Sequence, residues 1–161
     1  MRPFFILTLF NYQYFVTYLY RRIFDNKLKL NIMFTQQCLI HKNTKEIINF
    51  LNEIGYTLYE GSDNCSKNVA CSCKFNTYFT FDDDEYVFPN IIDCKKNKEL
   101  FFAVAALRDD SDRFQWFTND VFWIKCSQLD LKHELDNNYE EFCVADFHKA
   151  TVQELIEHFK P

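Results

Sequence analysis

LFFAVAAL, residues 100–107, is the most apolar piece of the chain, and its conformation decides what everything else packs against. Eight consecutive apolar residues read as a central strand buried on both faces, because a strand with no solvent side has no reason to alternate. The alanines at 103, 105 and 106 suit a buried helix as well, and an unbroken apolar run has no period to separate the two. The strand reading is the one carried forward. With the polar turn Arg108–Asp112 after it, it leads to an α+β fold on a small antiparallel or mixed sheet of about five to six strands.

On either side of this run lies one amphipathic helix. Asn43 and Glu46 have capping-box spacing, Ile47, Phe50, Leu51 and Ile54 share one helical face, and Gly55 stands where a left-handed cap wants glycine, so a helix is predicted over 44–54. Thr151 and Glu154 form a second capping box ahead of Val152, Leu155, Ile156 and Phe159, predicting a helix over 151–160. Strands are expected at 37–41, at 56–59, and as a strand pair or one long strand over 69–81, with Gly61 to Asn64 as turn chemistry. Four adjacent acids, Asp82 to Glu85, cannot pair with one another and mark a solvated turn into Tyr86–Phe88. Residues 113–117 read as one helical turn, 121–126 as a strand carrying Trp123, 129–141 as a polar surface connection and 142–147 as the last strand. The tetrads HKNT at 41–44 and HKAT at 148–151 are too short to be a repeat.

Charge splits the chain at its second methionine. Five cations and one anion fall within residues 1–32, so residues 33–161 carry a net −9 against −5 for the whole. The apolar run 3–20 is about 18 residues long, short of the roughly 20 a membrane helix needs, and Asn11 and Gln13 interrupt it. No small-residue cleavage site follows Tyr20, which argues against a secretory signal. Translation from Met33, preceded by AT-rich codons read in frame, is the favoured reading of the 1–32 segment; a weak membrane anchor is the alternative. In the anchored case the flanking cations place the acidic body in the cytoplasm, on the inner membrane. Residues 33–161 form one globular domain in either case, large enough for a core without staples.

Composition excludes several classes. Two glycines in 161 residues leave no phosphate-cradling loop, and no cofactor motif is present, so no cofactor is expected. An acidic domain is not expected to bind nucleic acid through its phosphates. Seven cysteines, several inside apolar runs, fit reduced thiols and a cytoplasmic location.

Four constellations bear weighing. Asp109, Asp110 and Asp112 with Asp93 have the oxygen ligands a magnesium ion takes, as in a hydrolase or nuclease, although turns and caps use the same residues. Cys65, Cys71 and Cys73 are the densest thiols, yet zinc sites want a second ligand pair and none is present, so no metal is assigned. His41, His133, His148 and His158 are scattered, without a recognisable Cys-His signature. Trp116, Phe117, Phe122 and Trp123 read first as core; any that are exposed mark a protein-binding surface.

Ile92-Asp93-Cys94, Glu99-Leu100-Phe101, Ala105 to Asp110 with Asp112, Gln115-Trp116-Phe117, Lys149-Ala150-Thr151 and Glu154-Leu155-Ile156 together resemble small proteins of gut Bacteroidota and their crAss-like phages. The likeness spans roughly residues 36–160 and implies no activity. The expectation is therefore a small acidic accessory protein of phage or mobile-element origin that binds another protein without catalysis of its own. The alternatives are a Mg²⁺-dependent hydrolase or nuclease on the aspartate cluster, and a membrane-anchored protein with a cytoplasmic acidic domain.

Overall fold

The computed structural model describes residues 34–62, 66–82, 90–138 and 141–160. The segment 1–32 with its anchor or upstream-start readings, Met33, Cys65 and the strand expected at Tyr86–Phe88 lie outside them. Among the described residues no helix is long and apolar enough to cross a membrane.

The decisive stretch is a helix. Lys98–Ala105, here α2, follows β1 (Cys38–Ile40), α1 (Lys45–Ile54), β2 (Thr57–Leu58), β3 (Asn68–Ser72), β4 (Thr77–Phe81) and β5 (Ile92–Asp93). The expected central strand is thus overturned, for two local reasons. Asn97, outside the apolar run, accepts the Leu100 N–H at 3.0 Å and starts the helix as an N-cap. Only Val104 in the run is β-branched, whereas alanine and leucine are strong helix formers. The helix is buried on most sides because it packs against β1, α1 and α4 (Val152–His158). An all-round apolar sequence is the mark of such a helix.

Five strands form the first sheet in the order β2-β4-β3-β1-β5. β3 is antiparallel to both neighbours, while β1 runs parallel to β5 and β2 parallel to β4, so β3 alone opposes the other four. The fold is α+β, with a mixed sheet. Its core gathers Phe34, Ile40, Ile47, Leu51, Tyr56, Val69, Tyr78, Phe101, Val104 and Leu155. Phe34 stacks on Tyr56 at 3.9 Å between ring centres, and the Tyr56 hydroxyl donates to the Ala105 carbonyl, tying the edge of the core to the end of α2.

α1 forms where the periodicity placed it, although Thr44 and not Asn43 is the cap: the Thr44 hydroxyl accepts the Ile47 N–H, and the Asn43 amide donates to the Ser66 carbonyl instead. Gly55 ends α1 at φ 109°, with its N–H on the Leu51 and Asn52 carbonyls. A Cβ is disfavoured in that region, so Gly55→Ala is expected to cost about 1–2 kcal/mol in chemical denaturation, with an unchanged denaturant slope.

A second, three-stranded antiparallel sheet has the order β7-β6-β8, with β6 at Trp116–Thr118, β7 at Trp123–Lys125 and β8 at His148–Lys149. Residues 116–118 are therefore strand where a helical turn was expected. The supposed surface connection contains α3 (Leu131–Asn138), and the strand expected at 142–147 is instead a 3₁₀ turn at Val144–Asp146 followed by β8. α3 escaped notice because its apolar face is only Leu131 and Leu135, one turn apart. These two close a small core with Phe117, Ile124, Cys126 and Phe147. Glu134, also buried, is retained because Oε2 accepts the Ser127 N–H and hydroxyl, both at 2.7 Å, and the Gln128 N–H.

Candidate functional site

The aromatic group divides by the pleat of the second sheet. Trp116 and Trp123 turn to the face covered by α4, where Trp123 stacks on His158 at 3.9 Å and Trp116 meets Phe159 edge-on at 5.4 Å. Phe117 takes the opposite face with Ile124, its partner in register. These three are core or half-buried. Phe122, just before β7, is 50% exposed, and its neighbour Val121 is 76% exposed. The Phe122 ring meets that of the half-buried Phe142 at 5.1 Å, and apolar surface remains in water around the β6–β7 turn.

That turn is held in one shape. The Asn119 side-chain oxygen accepts the N–H groups of Val121 and Phe122, the Asn119 N–H donates to the Phe122 carbonyl, and the Thr118 hydroxyl accepts the Asp120 N–H. Asp120 sits at φ 70°, a left-handed conformation that Asp and Asn tolerate better than other side chains. The backbone that carries the exposed pair is thereby pinned.

Beside the turn the structure gathers Asp120, His148 and Glu154, whose ligand-capable atoms all lie within 4.8 Å of one another. β8 sets His148 opposite Thr118, two residues before Asp120. Glu154 arrives from the first turn of α4, where Oε2 accepts the Thr151 N–H and hydroxyl, both at 2.7 Å, as the sequence predicts. Its other oxygen meets His148 Nε2 at 2.8 Å. The Thr151 amide and hydroxyl, followed by His148, hold the Glu154 carboxyl down at about 2. His148 and Glu154 stand out separately in the sequence and Asp120 does not, because the signal that joins them is a strand register rather than a spacing along the chain.

The four aspartates proposed for magnesium do not converge. Asp110 is clamped by the Arg108 guanidinium at 2.6 and 2.7 Å, which holds its carboxyl below the usual range. Asp112 accepts the Leu131 N–H at the start of α3 and pairs with Lys149. Asp109 is exposed. Asp93 is elsewhere, joined to Lys95 and to His41 Nε2 at 3.2 Å; burial raises its carboxyl, but the Lys95 and His41 contacts outweigh this and hold it low. His41 and Lys95, which hold it, line a cavity of ≈ 520 Å³ together with Lys67, Asn68 and Lys96. Those linings repel a cation.

Among the described residues, the thiols of Cys38, Cys71, Cys94 and Cys126 are buried in packing, while Cys143 is exposed. Cys71 lies opposite Cys38 in the β1–β3 ladder, and Cys73 is half-buried beyond it. Burial, with the neighbouring Cys71, pushes the Cys38 thiol up, and burial does the same for Cys73 and Cys94. Cys126 is pushed up to about 11. Thiols so held are protonated, and the thiolate is the form that binds metal or attacks a substrate.

The fold and site thus define an acidic α+β domain with an exposed apolar turn. No protein-family model matches the chain, and no curated protein or solved structure does so.

Proposed function

We propose that this domain works by binding another protein, without catalysis of its own, and that the β6–β7 turn is its anchor. The observation that carries this is the exposure of Val121 and Phe122 on a turn whose backbone is pinned by Asn119 and Thr118. An apolar side chain already fixed in its bound position loses little entropy on docking, and such residues tend to dominate interface energies. The surroundings set the partner's chemistry. Asp120 and Glu154 adjoin the turn in a domain of net charge −9 beyond residue 32, so the partner presents an apolar pocket rimmed by Lys or Arg. A cytoplasmic setting agrees with the free cysteines, and the likeness of segments such as Ala105 to Asp110 to phage and Bacteroidota proteins supports an accessory role in a phage or mobile element.

A protein recovered from host lysate on the immobilised chain is the starting material for the test, not its result. Phe122→Ala is expected to weaken that complex about 10- to 100-fold while leaving the melting temperature nearly unchanged, and raised salt is expected to slow association. A partner that binds Phe122→Ala and Val121→Ser as tightly as the parent would sink this assignment.

A further inference from the structure

We propose that Asp120, His148 and Glu154 bind one divalent first-row transition cation on the surface of the second sheet, with water completing its coordination. Three side chains from a turn, a strand and a helix, spread over 35 residues of sequence, bring their ligand atoms within 4.8 Å. Ligand bonds of roughly 2.0–2.2 Å place adjacent ligand atoms about 3–3.5 Å apart, so His148 Nε2 and Glu154 Oε1, hydrogen-bonded at 2.8 Å, need part only slightly to admit an ion. Asp120, on the exposed turn, supplies the third ligand atom.

The charges point the same way. The Thr151 cap occupies Glu154 Oε2 and leaves Oε1 directed at the imidazole. Asp120 spends its amide on Thr118, while its carboxylate receives no hydrogen bond among the described residues. Two carboxylates around one imidazole retain a net negative charge whether or not the imidazole is protonated. A divalent cation removes that imbalance, and the left-handed turn keeps Asp120 facing it.

The donor set names the class of metal. Two carboxylate oxygens and one imidazole nitrogen suit Mn²⁺, Fe²⁺ or Zn²⁺; Mg²⁺ and Ca²⁺ prefer oxygen throughout, and Cu(I) prefers sulfur. Three protein ligands leave positions open to water. The bound ion would also brace the turn that carries Val121 and Phe122, but the inference does not depend on docking, since it concerns the isolated chain.

Mn²⁺ is the informative probe, because thiols compete for it poorly and its unpaired electrons broaden nearby NMR signals. The full chain, freed of metal by a chelator, is titrated with Mn²⁺ while amide signals and free Mn²⁺ are followed. One ion per chain is expected, with broadening confined at low occupancy to residues around 118–121, 148 and 154, and with little competition from Mg²⁺. Asp120→Asn and His148→Gln are each expected to weaken binding at least tenfold. Both variants should fold, since Asn tolerates the left-handed turn and Gln still offers Glu154 a donor; equal melting temperatures in chelator establish this. Broadening spread over the acidic surface, or parental affinity in both variants, overturns the site.

Discussion

Truncating Phe101 to alanine is expected to destabilise the domain by about 3–5 kcal/mol, whereas Phe102→Ala next to it should cost roughly a third as much. Phe101 is fully buried in the middle of α2, amid the core shared by the first sheet, α1 and α4. Removing its ring forfeits transfer energy and leaves a cavity that the neighbouring helices cannot fill without shifting. Phe102 lies about 100° further round the helix, half-buried, with its ring against Phe50 at 4.2 Å and Lys98 over it. The contrast separates helix from strand: a central strand buried on both faces would make the two truncations equally damaging. Urea denaturation measures it, and because total stabilities are about 5–15 kcal/mol, Phe101→Ala should stand near the limit of folding. Phe101→Leu, which keeps most of the volume, is expected to lose under about 1.5 kcal/mol.

How far such results were legible beforehand depends on where the information lies. α1 and α4 could be read because their apolar faces and end signals lie within about a dozen residues of chain, although the cap of α1 is Thr44 and not Asn43, and extended structure over 69–81 could be read because alternation is local too. The 100–107 run could not be resolved that way. Its burial on all sides erases periodicity, and the residue that starts the helix, Asn97, stands outside the apolar string. α3 is a related failure, since a helix covering a small core needs only Leu131 and Leu135 and is otherwise polar.

The site was partly legible for the same reason. Trp116, Phe117, Phe122 and Trp123 were recognisable as one aromatic group, but only the pleat and the register of β6 against β7 show that Phe122 alone among them is left half in water. Asp109, Asp110 and Asp112 looked like ligands because they are adjacent. Folding instead gives Asp110 to Arg108 and Asp112 to the start of α3, while Asp120 meets His148 because the ladder pairs Thr118 with His148, 30 positions further along the chain.

That same polar stretch supplies the second large effect. Gln115→Leu is expected to cost about 3 kcal/mol, although leucine fills nearly the same volume. Gln115 is completely buried, and its side chain acts as a clamp on the loop that follows α2. Its amide nitrogen donates to the Arg108 carbonyl at 3.0 Å and to the Ser111 carbonyl, while its oxygen accepts the Arg108 N–H at 3.3 Å. Leucine removes the acceptor that the Arg108 N–H uses and the donor that reaches the Ser111 carbonyl, at about 1–3 kcal/mol for each part-buried group. The Arg108 carbonyl fares better, because Lys149 also donates to it at 3.0 Å. Gln115→Glu tests the reasoning from the other side: it preserves shape and the acceptor but turns a carboxylate toward two carbonyls, so it should be at least as harmful. The damage should also be local before it is global. Arg108 loses the fixed backbone from which it clamps Asp110, and the Arg108 amide should exchange its hydrogen about a hundredfold faster, the equivalent of some 3 kcal/mol at 1.4 kcal/mol per decade. Hydrogen exchange at Arg108, compared with a core amide such as Val69, measures this. If Gln115→Leu melts and exchanges like the parent, the residues from Arg108 to Gln115 are held by something other than this amide.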